Sequence, residues 1–331
     1  MSESEHDNRF SAQSWVGAVI EFLRQLPLPS PGWWQDQAHS ANRQTSGVLT
    51  GQIEGKGSYP TAYGGYCDVW KCSWRRKGSG TIGVAVKSIR IHGSDLDRER
   101  KSKRLSRAIE GWLGLDHDNV MPIFGMTLGF GPLPALVCPW MENGTLTHYL
   151  EQNYHQITAS TRKAMLLEVI SAVLYLHDHG IIHGSLSGSN VFINDLGRAC
   201  VADFGMAALL LEFSSESYFS SSIGGAVRWI GPELFQVLDD SSDSVGFPST
   251  QGDVYSFGCI MLQVLSGEIP YHYFQRDTQV FFAISTGVKP LHPDTSCVND
   301  AQWSVIQQCW LAPRQRPTME KLHYLVDELE F

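Results

Sequence analysis

A few residues of this 331-residue chain have the types and the spacing to do chemistry. Lys87 closes Val84-Ala85-Val86-Lys87, a cation at the end of an apolar strand pattern. Asn190 closes His183-Gly184-Ser185-Leu186-Ser187-Gly188-Ser189-Asn190, and Asp203 opens Asp203-Phe204-Gly205. Their amide and carboxylate oxygens suit a hard divalent cation that keeps several of its waters. Ser185 and Ser187 lie in the same stretch, and a hydroxyl with a pKa far above 7 does not serve as a general base. Two tempting patterns fail. Gly51-Gln-Ile-Glu-Gly55-Lys56-Gly57 has three intervening residues where a phosphate loop has four, and Gly57 stands where Ser or Thr must hold magnesium. Asn143-Gly144-Thr145 is a glycosylation sequon, which an intracellular chain does not use.

The elements that must position these groups change character along the chain. Residues 1–46 read as an extension: Ser14–Leu26 carries an apolar helical stripe, and Pro27, Pro29 and Pro31 end it. A short helix packed on the main domain, or one that docks a partner, is expected there. From Gly47 the pattern turns to strands; Thr81–Ile91 alternates, and the basic loop Arg75–Gly80 before it predicts a hairpin. Asp95–Leu115 reads as a helix, and after Thr158 the chain is mostly helical, most clearly over Ala164–His177 and Val254–Leu265. A strand-rich first third and a helical remainder predict an α+β, two-lobed molecule. The segment between Asp203-Phe204-Gly205 and Gly231-Pro232-Glu233, with its Ser-rich Phe213–Ser222, is expected to be a mobile loop, as is the acidic Asp239–Asp243.

Five segments in order resemble the protein-kinase signature set: those ending in Lys87 and Asn190, then Asp203-Phe204-Gly205, Gly231-Pro232-Glu233 and Asp253-Val254-Tyr255-Ser256-Phe257-Gly258. Cys309-Trp310 and Arg316-Pro317 complete the likeness, which covers residues 47–331 and looks closest to the tyrosine-kinase-like, fungal Ser/Thr kinase-like branch. The resemblance implies a two-lobed kinase fold. Residues 47–141 would form a small antiparallel β-sheet N-lobe with one helix, plus the hinge, and residues 142–331 a larger, mainly helical C-lobe. It implies an ATP site in which Lys87 contacts phosphates, Gly64 and Gly65 remain of the glycine-rich loop, and Val69 and Ala85 cap the base. Cys138 would be the gatekeeper, Met141 the hinge residue and Phe192, in place of a leucine, the floor; Asn190 and Asp203 would hold Mg²⁺.

The same comparison exposes losses. Ser185 replaces the Asp that accepts the substrate proton, and Ser187 the lysine that neutralises the transferred phosphoryl group. Family spacing puts the lysine-pairing glutamate at Ala108; Glu110, about 200° further round a helix, should face away. Side chains at Ala62 and Cys67 replace loop glycines and would crowd the amides that approach phosphate. By resemblance His183, Phe204, Trp112, Ile123 and Asp253 form the stacked scaffold between the lobes, and Glu233–Arg316 an internal ion pair. The expected function is a pseudokinase that binds ATP and Mg²⁺ weakly and acts as a scaffold or allosteric partner in signalling. A weakly or unconventionally active Ser/Thr kinase and an interaction module without nucleotide are the alternatives.

Composition sets the remaining bounds. The net charge of −9 argues against nucleic-acid or anionic-membrane partners bound by bulk electrostatics, leaving unidentified protein partners. No apolar run approaches the roughly 20 residues of a membrane span. The seven cysteines form no C-x-x-C pair, as in a reduced intracellular protein. A cytoplasmic location, with the nucleus open, is expected.

Overall fold

The computed structural model describes residues 47–76, 78, 80–90, 95–213, 226–235, 247–293 and 297–331. The helix expected at Ser14–Leu26, the boundary at residue 46 and the Asp239–Asp243 loop lie outside the described residues.

The first lobe is an antiparallel sheet of β1 (Ile53–Glu54), β2 (Ala62–Tyr63), β3 (Cys67–Arg76), β4 (Gly80–Ile89), β5 (Gly125–Thr127) and β6 (Ala135–Pro139). Its order is β1-β3-β4-β6-β5, with β2 also paired to β3. The hairpin expected around residues 75–80 is present, but tighter, because β3 and β4 pair as far as Arg76↔Gly80. Period-two alternation divides the sheet. Trp70, Cys72, Trp74, Ile82, Val84 and Val86 bury one face with Leu49, Phe124 and Val137. The opposite face takes the intervening residues. The register pairs Val69↔Lys87 and Ala85↔Cys138, so directly opposed side chains of the prospective site share that face. Helix α1 (Asp95–Trp112) packs on β5 with Leu105, Ile109 and Trp112 turned inward.

The second lobe holds α2 (Leu146–Asn153), α3 (Ala159–Asp178), the hairpin β7 (Val191–Ile193)–β8 (Ala199–Val201), α4 (Met206–Phe213), α5 (Thr250–Ser266), α6 (Asp277–Ser285), α7 (Asp300–Cys309) and α8 (Met319–Asp327). Side-chain oxygens of Thr145, Thr158, Ser249, Asn299 and Thr318 cap α2, α3, α5, α7 and α8, satisfying N–H groups without a helical partner. Every residue of α5 from Asp253 to Leu265 is buried, as expected of the central helix of a lobe. Gly267 ends it with φ 80°, and a Cβ there would fall 2.7 Å from the Tyr154 ring.

The two-lobed α+β arrangement is therefore the one expected. One expectation needs correction: the segment after Asp203-Phe204-Gly205 does not begin as a loop. Met206-Ala-Ala-Leu-Leu-Leu-Glu-Phe forms α4, because good helix formers here carry enough apolar surface to bury Met206, Ala207, Leu209, Leu210 and Phe213. Residues 214–225 lie outside the described residues. No described helix is long and apolar enough to cross a membrane.

Candidate active site

Lys87 of β4 and Asp203, just after β8, meet in the cleft and form an ion pair between half-buried side chains. Burial, the largest single influence, opposes the charge on Lys87, but Asp203, Tyr66 and Cys67 together outweigh it and raise the ammonium pKa well above the usual lysine value. Asp203 adopts φ 63°, a left-handed conformation costly for a non-glycine residue. Ala108, at the expected glutamate position on α1, lies partly buried against the core, while Glu110 is exposed. Lys87 thus takes its carboxylate from the position expected to hold a metal.

Above this pair the loop joining β2 and β3 is tightly held. Gly64 N–H donates to Cys67 O at 2.8 Å, and a Cβ on Gly64 would lie only 2.7 Å from Cys67 Sγ. Cys67 is buried and its thiol pKa is raised by that burial. Tyr66 tucks beneath the loop against the main core, with Lys87 Nζ 5.3 Å from the centre of its ring. Burial pushes the Tyr66 phenol pKa well up, with Lys87 opposing. Arg90 binds the loop from outside. Its guanidinium donates to Gly64 O (2.6 Å), Gly65 O (3.0 Å) and Cys67 O (3.1 Å), pairs with Asp68, and its N–H reaches Tyr66 O at 2.9 Å. Nothing in the spacing pointed to this role for Arg90.

The floor and hinge form a small cluster of Met121, Met141, Cys200 and Ala202, with Cys138 and Phe192 against it. Val69 and Ala85 face it half-buried from the sheet, and burial raises the Cys138 thiol pKa to about 12. Glu142 accepts from Lys71 Nζ (3.0 Å) and Trp140 Nε1 (3.2 Å), tying the sheet to the hinge; sequence reasoning missed this link too.

Across the cleft, Asn190 donates its side-chain N–H to Ser185 O at 2.8 Å. Ser185 is half-buried at the site, whereas Ser187 is enclosed, 1% exposed, with no hydrogen-bond partner for its hydroxyl among the described residues. The five scaffold residues are all buried: Trp112 meets Phe204 edge-on at 5.8 Å, and Asp253 accepts from His183 N–H (2.9 Å) and Gly184 N–H (2.8 Å). Arg316 binds Glu233 through both terminal nitrogens and also donates to Gln251 O (2.8 Å) and Leu311 O (2.9 Å).

One carboxylate and one amide oxygen beside a lysine fit a magnesium ion carried in on nucleotide phosphates, which completes its shell with water. The fit requires Lys87 to leave Asp203. Among the described residues no cluster of three or more His, Cys, Asp or Glu offers a metal site independent of phosphate.

The chain matches the model of the protein tyrosine and serine/threonine kinase family over residues 60–326. It is 29% identical over 264 residues to ephrin type-B receptor 2 of Gallus gallus, covering 78% of this chain and 25% of the receptor. It is 28% identical over 270 residues to ephrin type-B receptor 1 of the same species, covering 81% and 26%. To kinase suppressor of Ras A of Caenorhabditis elegans it is 25% identical over 235 residues, covering 69% and 30%. The chain spans less than a third of the length of these relatives. Signature segments, two-lobed fold and family match agree: this chain belongs to the protein tyrosine and serine/threonine kinase family.

Proposed function

We propose that residues 47–331 form a pseudokinase of the tyrosine-kinase-like, fungal Ser/Thr kinase-like branch, an intracellular scaffold or allosteric partner that binds ATP weakly. The observation that carries this reading is the partner of Lys87. With Ala108 on α1, the lysine pairs with Asp203, so Mg-ATP has to break a half-buried ion pair before either side can engage. Ser185 supplies no base, and a lost base costs on the order of 10²–10⁴ in rate. Tyr66 beside Lys87 narrows the phosphate space further. Bound nucleotide would supply the phosphates and Mg²⁺ the charge between them; Lys87 would meet the phosphates, and Asn190 and Asp203 the metal. The hinge backbone at Met141, with Val69, Ala85 and Phe192 enclosing the base, would set most of the affinity.

The test is calorimetric titration with ATP, with and without Mg²⁺, beside a radiolabel transfer assay. Dissociation constants in the high-micromolar range, about −5 to −6 kcal/mol, that depend on the metal support the proposal. Transfer near ~1 s⁻¹ that vanishes in Asp203→Ala establishes an active kinase instead. No binding at millimolar ATP, in the wild type and in Tyr66→Ala alike, establishes a module without nucleotide, the reading that the Tyr66–Lys87 contact favours.

A further inference from the structure

Helices α1 and α4 border a cavity of about 740 Å³, which the stretch after α3 and the one before α5 complete. It is separate from the nucleotide cleft, since neither Lys87, Asn190 nor Asp203 lines it. Its volume is that of an ordinary small-molecule site. The walls are apolar: Ala108 and Trp112 of α1, Leu209 and Leu211 of α4, and Ile181 and Pro248. Phe247 lines it too and is 65% exposed, so an occupant of the cavity would take aromatic surface out of water. Apart from the Trp112 indole, the polar side chains among the described lining residues are Arg104, Arg107, His179 and Glu212, all exposed at the rim.

The rim decides which occupant fits. Its one carboxylate is spent, because Glu212 accepts from Arg104 at 2.7 and 2.8 Å. His179 Nδ1 lies 2.7 Å from Tyr175 O, its own helix carbonyl. Arg107, three residues on from Arg104 along the same helix face, has no paired carboxylate among the described residues. One spare guanidinium therefore stands over an apolar interior. A peptide in that interior would strand N–H and C=O groups that these walls do not satisfy, and a sugar or nucleotide would strand its hydroxyls. An apolar body ending in a single anion meets both conditions.

We propose that this cavity binds a free single-chain aliphatic carboxylate, with the chain against Trp112, Leu209 and Ile181 and the carboxylate on Arg107. The planar guanidinium suits a carboxylate, which it can meet with two parallel hydrogen bonds. Seated there, the ligand joins α1 to α4 by apolar contact, beside the existing Arg104–Glu212 pair. This inference does not depend on whether the cleft binds ATP.

The test titrates the full chain with dodecanoate, below the concentration at which it forms micelles, by calorimetry and thermal melting. At ten times its dissociation constant it should raise the melting temperature by about 3–5 °C. Affinity should climb from octanoate to dodecanoate, by up to about fourfold per methylene. Dodecanol, the same chain without the charge, should bind about tenfold more weakly, and Arg107→Gln should bring dodecanoate down to that level. Gly111 of α1 lines the cavity with open space where its Cβ would stand, so Gly111→Phe fills it and should abolish binding. Replacing a helix glycine favours folding, and Ala208→Phe, exposed on α4, fills the cavity from the other helix should the first variant fail to fold. No stabilisation of the wild type, or an equal gain in a filled variant, overturns the proposal. Equal binding of dodecanol and dodecanoate overturns it too, since Arg107 would then have no part. A dimer of the unliganded chain that a filled variant disrupts assigns the cavity to a second copy. Stabilisation by an acidic amphipathic peptide in place of dodecanoate assigns it to a protein partner, and either result overturns the proposal as well.

Discussion

At the scale of single residues, the cleft shows how one missing side chain redirects its neighbours. A half-buried lysine ammonium gains from a counter-ion, so with Ala108 on α1 Lys87 turns to Asp203. Ala108→Glu should restore a competing carboxylate, release Asp203 toward the metal and strengthen Mg-ATP binding by about tenfold, the equivalent of ~1.4 kcal/mol. Calorimetry with and without Mg²⁺ reads it; a gain that is independent of the metal would mean that Asp203 had not been freed. Arg90 and Tyr66 act on the same lysine from the other side. Arg90→Met removes the clamp on three loop carbonyls, and Tyr66→Ala removes the ring beside Lys87. Each should raise ATP affinity several-fold, and together they should add less than their sum, since both act through one loop. Lys87, Asn190 and Asp203 were legible in the sequence because motif order marks them. Arg90 and Tyr66 were not, because a hydrogen bond to a backbone carbonyl leaves no pattern in residue types.

At the scale of elements, the contact between α1 and α4 is the least legible from sequence and the most open to manipulation. The segment after Asp203-Phe204-Gly205 read as a mobile loop, and nothing in its spacing said that it would open with a helix whose end is joined to α1 by Arg104 and Glu212. Arg104 and Glu212 supply the polar half of that contact, each about half exposed. Hydrogen bonding to Arg104 holds the Glu212 carboxyl pKa below the usual range, with Arg100 adding to the effect. Its unfolded form therefore binds a proton more readily than its folded form. The stability it contributes is full above the ordinary carboxylate value near ~4.3 and is lost as the pH falls through the lower folded value. Urea unfolding of the wild type and Glu212→Gln should show a difference at pH 6 that closes below about pH 4 and shrinks with salt. A difference unchanged at low pH would show that Glu212 acts through packing rather than charge. By contrast, β4, α3 and α5 were readable in advance, since period-two alternation or a long apolar run fixes both the element and its buried face.

At the scale of the whole molecule, the groups that hold the second lobe together are separate from the groups that would handle nucleotide. Asp253, at the start of α5, is 1% exposed and accepts from His183 and Gly184 N–H, with His177 Nε2 at 2.8 Å. It holds the catalytic loop to the helical core by charge-assisted bonds with no water to replace them. The Arg316–Glu233 pair likewise has two further guanidinium donors satisfied by backbone carbonyls, the condition under which a buried pair is strongly missed when broken. Losing one partner of such a group costs on the order of 3–5 kcal/mol. Asp253→Ala and Glu233→Ala should therefore lower the melting temperature substantially in the absence of any ligand. Asp203→Ala should lower it far less, because its partner Lys87 lies partly open to water in the cleft and recovers solvation there. The same Asp203→Ala chain should lose whatever metal dependence its nucleotide binding has, while Asp253→Ala, at a temperature where it stays folded, should keep it. Thermal melts of the three variants with and without Mg-ATP separate the two roles. If Asp203→Ala proves as destabilising as Asp253→Ala, the Lys87–Asp203 pair is part of the scaffold, and the bond that closes the cleft supports the fold as much as those inside the second lobe do.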